Sequence, residues 1–253
     1  MTDDTRGAGS PRTFDEIATR STATSRREFL RILGLGGTVA MLPGVVACDS
    51  DSTTEPGNGI PASGNPVLID FAQGDVAILQ LASMLEQVEA EFYSRVVAGF
   101  ATSNIAAGDQ AVLTEIRDHE LAHRAYIDGT LAGAVLLPVT ATFRGIDLAD
   151  RTTVLTAART LEDLGIATYN GAAQYVTSPA TLLEIAKIAS VEGRHSSTIR
   201  DLQQPRTNAF SPGGSDDAFR PAQSATSLQD YLVEKLAFAN IPAAFVPGPN
   251  EFG

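Results

Sequence analysis

The chain has 253 residues, 43% of them hydrophobic and 6% aromatic, which is enough for one sizeable core with appendages, and its alanine and leucine favour helix. A formal net charge of −12, with no basic stripe beyond the N-terminal region, excludes charge-driven binding to nucleic acid or anionic lipid. The single cysteine, Cys48, excludes an intramolecular disulfide and every thiolate metal site except one using that residue, so site chemistry falls to oxygen and nitrogen.

In chain order, Ser25, Arg26, Arg27, Glu28, Phe29 and Leu30 form a twin-arginine signature directly before an apolar run over 32–47. The run is shorter than the roughly 20 apolar residues of a transmembrane helix, and the order of charged, apolar and small residues fits an export signal. It ends in Val45, Val46, Ala47 and Cys48, which resembles the lipobox of bacterial lipoproteins, where the chain is cut before the cysteine and the thiol receives lipid. An ordinary secretory signal shares this order, and a cysteine after small residues also arises by chance. The expectation is a twin-arginine, lipoprotein-type signal peptide over 1–47 and an exported, periplasmic or otherwise extracytoplasmic protein. Lipid on Cys48 would be its only membrane attachment. Residues 48–66, rich in Ser, Thr, Gly, Pro and Asp, read as a flexible tether.

Helical spacing of Val76, Leu79, Met84, Leu85, Val88, Phe92 and Val96 predicts a first helix from Asp75 to a stop at Gly99. A second is expected from a cap at Asp109 to about Ile127, ended by Asp128 and Gly129. The 129–150 stretch lacks helical period and is long for a connection, so it reads as a crossover. A third helix is expected from about Thr152 to Tyr175 and a fourth to about Leu202, with Ser178 as cap and Pro179 in its first turn. After a loop, Ser227 can cap a short fifth helix to about Ala239, and an irregular tail follows. The fold class is all-α: a four-helix bundle over 67–205 with a long crossover between its second and third helices, and a C-terminal extension over 206–253.

One pattern occurs twice. Glu86 and Tyr93 precede Glu120-x-x-His123, and Glu162 and Tyr169 precede Glu192-x-x-His195. Residues i and i+3 share a helix face, so Glu120 with His123 and Glu192 with His195 can each reach one point. Glu86 and Glu162 can add a terminal or bridging carboxylate each, and four carboxylates balance two divalent cations. Oxygen and imidazole donors suit iron or manganese, accept zinc, and do not suit copper(I). Of three histidines in the chain, two meet the Glu-x-x-His spacing. Tyr93 and Tyr169 are candidates to orient these carboxylates or simply to fill the core. Glu89 is a further carboxylate near the site or an exposed one; Gly165 stands in its place in the second copy. His119 either supports the site from behind or faces solvent. Gly193 leaves room for an oxygen species or for a neighbouring helix.

At Leu85–Tyr93 (LEQVEAEFY), Leu161–Ala173 (LEDLGIATYNGAA) and Val191–His195 (VEGRH) the chain resembles the ferritin-like superfamily, and more closely its exported, desiccation-related branch. The resemblance covers about 67–205. It implies a four-helix bundle and a dinuclear site; with these donors the expectation is an iron or manganese centre that reacts with oxygen or peroxide in stress protection. It does not fix a reaction, since such bundles include ferroxidases, peroxide scavengers and catalases. A non-enzymatic, metal-binding or desiccation-protective envelope module is the alternative, and a metal-free helical adaptor is a third. No ferritin-type storage cage is expected, because the tether and the C-terminal extension do not suit one.

Overall fold

The computed structural model describes residues 66–136 and 138–243. The export signal, Cys48, all but the end of the tether and the tail from 244 lie outside the described residues. Strand β1 (Val67–Asp70) leads into helix α1 (Asp75–Ala98), followed by α2 (Ala107–Leu131), α3 (Arg151–Ala173), α4 (Pro179–Gln203), the short α5 (Pro221–Gln229) and strand β2 (Leu236–Ala239). Helices α1 and α2 pack as one pair and α3 and α4 as another; α1 meets α3 and α2 meets α4 across the bundle, and α5 packs on α3. This is the expected four-helix bundle with a short C-terminal helix.

Local chemistry sets the helix ends. The α3 cap is Asp150, whose side chain accepts from Thr153 N, and the α4 cap is Ser178, which accepts from Thr181 N ahead of Pro179. Each such cap contributes about 1 kcal/mol. Helix α1 stops at Gly99 as expected. Helix α2 differs: Asp109 lies in its first turn and accepts from Arg151 Nε at 2.5 Å, while Ala106 holds the cap position without a side-chain bond. At the other end α2 runs through Asp128 and Gly129 to Leu131, because Asp128 accepts from Ser83 Oγ at 2.6 Å and is held inside the α1–α2 pair.

Helix α1 is buried on nearly all sides, since the crossover at 132–150 covers the flank its partners leave open. Gln80 Nε2 donates to Ala134 O at 2.8 Å, and Gln87 Oε1 accepts from Val139 N at 3.1 Å. Phe143 packs edge-on against Phe92, with ring centres 5.3 Å apart. These contacts order a segment that has no helical period.

The C-terminal extension departs from expectation. Its helix begins at Pro221, whose fixed φ suits the first turn, and ends at Gln229; Leu236–Ala239 is a strand paired in parallel with β1, Val67 opposite Leu236. Two such short strands are marginal alone. Phe71 and Phe238 meet edge-on at 5.5 Å, and Asn240 Nδ2 donates to Asp70 Oδ1 at 2.7 Å, tying this end of the chain to the start of the bundle.

Candidate metal centre

The four long helices bring Glu86 (α1), Glu120 and His123 (α2), Glu162 (α3), and Glu192 and His195 (α4) to one place inside the bundle. All four carboxylates are 0% exposed, and His123 and His195 are 9% and 4% exposed. Two overlapping groups, each with one donor atom per residue mutually within 4.8 Å, are Glu86, Glu120, His123, Glu192 and Glu120, Glu162, Glu192, His195.

Glu120 and Glu192 belong to both groups, so the Glu-x-x-His pairs are not self-contained as their spacing suggested. Glu120 Oε2 lies 3.2 Å from His123 Nδ1, and its Oε1 lies 2.7 Å from His195 Nδ1. Glu192 Oε1 lies 3.1 Å from His123 Nδ1 and 4.0 Å from His195 Nδ1. Glu86 Oε2 faces His123 at 3.5 Å, and Glu162 Oε2 faces His195 at 3.4 Å. Two carboxylates thus lie on the midline and one lies at each end.

The end carboxylates are held by a reciprocal exchange between the two copies of the pattern. Tyr93 of the first copy donates to Glu162 Oε1 of the second, and Tyr169 of the second donates to Glu86 Oε1 of the first. Each hydroxyl occupies one oxygen and leaves the other turned inward. Both rings are also fully buried, so orientation and packing are the same role here.

Burial pushes Glu86 up to about 8 against its ordinary 4.5 and raises Glu89, Glu162 and Glu192 as well, with neighbouring carboxylates adding to the rise. Burial would raise Glu120 too, but His123 and His195 hold it down at about 2. Burial also opposes charge on the imidazoles, yet the surrounding carboxylates push His123 up to about 12 and His195 to about 10. Without metal, then, the cluster is neutralised by protons on imidazole and carboxyl groups.

Protons alone leave it incompletely paired. Glu86 Oε2, Glu120 Oε1, Glu162 Oε2, both oxygens of Glu89 and of Glu192, and His195 Nδ1 are buried without an aligned hydrogen bond. His195 Nδ1 and Glu120 Oε1 are close but off the N–H direction, as atoms are when they converge on a shared point. Buried polar atoms almost always have partners, so this concentration of orphans fits cation ligation. The donors, carboxylate oxygens with imidazole nitrogens, suit iron, manganese or zinc.

Glu89 is fully buried, which excludes the exposed alternative. His119 touches His195 and also reaches solvent: its Nδ1 lies 2.9 Å from His195 Nε2, with ring planes 9° apart and centres at 5.2 Å, so the two rings lie end to end in nearly one plane. That contact fixes His195 with Nδ1 toward the carboxylates. A Cβ on Gly193 would meet only Ile166 Cδ1, at 4.0 Å, so the neighbouring helix does not require glycine there. Gly165 and Gly171 matter instead. A Cβ on Gly171 would lie 1.8 Å from Phe219 O, where the C-terminal segment crosses α3 and Phe219 N donates to Ala167 O at 2.8 Å.

A mostly apolar cavity of about 320 Å³ between α3 and α4 is lined by Ile166, Tyr169, Asn170, Ile185, Ala189 and Ser190, among them the tyrosine bonded to Glu86. A larger one, about 870 Å³, lies between α3 and the C-terminal segment and is lined by no residue of the cluster. No curated protein matches the chain. The family model of the ferritin-like domain matches residues 74–205, which span all four long helices and all six clustered side chains. The chain belongs to the ferritin-like domain family.

Proposed function

We propose that this protein is an exported, lipid-anchored ferritin-like protein with a dinuclear iron or manganese centre that reacts with dioxygen or peroxide in stress protection. The observation that carries the reading is the set of unpaired, fully buried carboxylate oxygens converging between two imidazole Nδ1 atoms. In this reading Glu86 with His123 and Glu162 with His195 would each hold one metal ion, with Glu120 and Glu192 available to both. Such a metal pair, when bound, would supply redox change. The chain's own residues do the rest: Tyr93 and Tyr169 hold the end carboxylates in place, His119 holds the ring of His195, and the helices exclude bulk water. The mostly apolar cavity beside Tyr169 has room for a small apolar molecule such as dioxygen. The twin-arginine signature and the lipobox-like Cys48 support export and anchoring.

A second reading, a non-enzymatic module whose metals serve folding or desiccation tolerance, draws support from the sealing of all four carboxylates against solvent. Peroxide consumption separates the two. Protein loaded with iron or manganese should consume peroxide, and a Glu86→Ala, His123→Ala variant should lose both metal and turnover. Metal-loaded wild type without turnover on either metal favours the second reading.

A further inference from the structure

The two copies of the pattern are not equivalent: the first carries Glu86-x-x-Glu89, the second Glu162-x-x-Gly165. Glu89 is 0% exposed, and neither of its oxygens has a hydrogen-bond partner. A carboxylate sealed from water without a partner calls for a proton or a cation. A second observation lies across the bundle on α3. A Cβ built on Gly165 would stand 2.9 Å from Glu89 Oε1 and 2.8 Å from Glu192 Oε2. Any other side chain at 165 would fill the slot these two oxygens share. Glycine inside a helix costs roughly 0.5–1 kcal/mol relative to alanine, and here it leaves space for carboxylate. Glu192 turns its other oxygen, Oε1, to His123 at 3.1 Å, so Glu89 shares its slot with a carboxylate common to both four-residue groups, though it is in neither group itself.

We propose that Glu89 is a fifth carboxylate of the metal centre, admitted through the slot at Gly165 and serving one cation position only, so that the two positions are inequivalent. This rests on the dinuclear reading above. Four carboxylates suffice for two divalent cations, and position 165 offers no counterpart, so the additional oxygen falls to one side. A carboxyl that merely packs would be indifferent to exchange for an amide of the same shape, whereas a ligand would not.

The test is titration of the metal-free full chain with Co(II) alone, followed by calorimetry and by the visible absorption of the bound ion. Wild type should take up two equivalents with unequal constants. Glu89→Gln should keep one equivalent at wild-type affinity and weaken the other tenfold or more, with a changed spectrum for that equivalent alone. Gly165→Ala, which closes the slot, should weaken the same equivalent. Two equivalents bound by Glu89→Gln with wild-type constants and spectrum overturn the proposal and leave the dinuclear reading standing. A wild type that takes up no Co(II) overturns both.

Discussion

Removing the metal should make stability fall as pH rises, contrary to the usual behaviour of a protein held by ionised carboxylates. Glu86 titrates at about 8 in the fold against an ordinary 4.5, so the folded state binds its proton more tightly than the unfolded chain does. Its contribution is fully present below 4.5 and is lost as pH rises to 8, at about 1.4 kcal/mol per pH unit and on the order of 5 kcal/mol in all. Glu89, Glu162 and Glu192 shift the same way. His123 and His195, raised from 6.5 to about 12 and about 10, begin to lose their contributions above 6.5, which adds to the fall. Glu120, lowered from 4.5 to about 2, contributes fully at every pH above 4.5 and puts no slope into this window. A domain of this size shifts Tm by about 2–4 °C per kcal/mol, so metal-free protein should melt roughly 10 °C or more lower at pH 8 than at pH 5. Differential scanning calorimetry on chelator-treated and metal-loaded samples reads this directly. Loaded protein should show little or no fall, because cations replace the protons. A metal-free Tm that is flat or rises between pH 5 and pH 8 would mean that protons do not neutralise this cluster.

Other expectations follow from the same contacts. Tyr169→Phe strips the hydroxyl from Glu86 Oε1 and should weaken metal binding about 10–100-fold, measured by competition with a chelating dye. His119→Ala should weaken it about tenfold while leaving the metal-free melting temperature nearly unchanged, and His119→Gln should restore part of the loss. Gly171→Ala drives a methyl group into Phe219 O and should destabilise the fold by about 1–3 kcal/mol in thermal melts, with faster proteolytic cleavage of the segment after 205. On the proposed lipid anchor, which rests on the sequence alone, Cys48→Ala should move the protein from the membrane to the soluble fraction of cell extracts.

The duplicated pattern made the site legible because Glu-x-x-His constrains two side chains to one helix face, and a family of bundles uses that spacing. Apolar periodicity gave α1, α3 and α4 with ends near their caps, since Gly99, Asp150, Ser178 and Pro179 act within a turn of where they sit. What escaped depended on partners distant in sequence. Asp128 is a stop signal locally, and its bond with Ser83 lets the helix run on; 236–239 is strand because its pairing partner lies at 67–70. That Glu120 and Glu192 are shared follows from the crossing of two hairpins, which spacing within one helix does not encode. Gly165 shows in the sequence as the residue in the place of Glu89 in the second copy, but only the fold puts it opposite that buried acid, where a glycine leaves space for it.

In the proposed centre two metal ions would lie between Glu120 and Glu192. Anomalous diffraction at the iron and manganese edges, from crystals of protein purified from its native compartment, locates them. Two anomalous peaks roughly 3.5–4 Å apart, flanked by Glu86 with His123 and by Glu162 with His195, are predicted. A well-ordered cluster with no anomalous peak at either edge would contradict it.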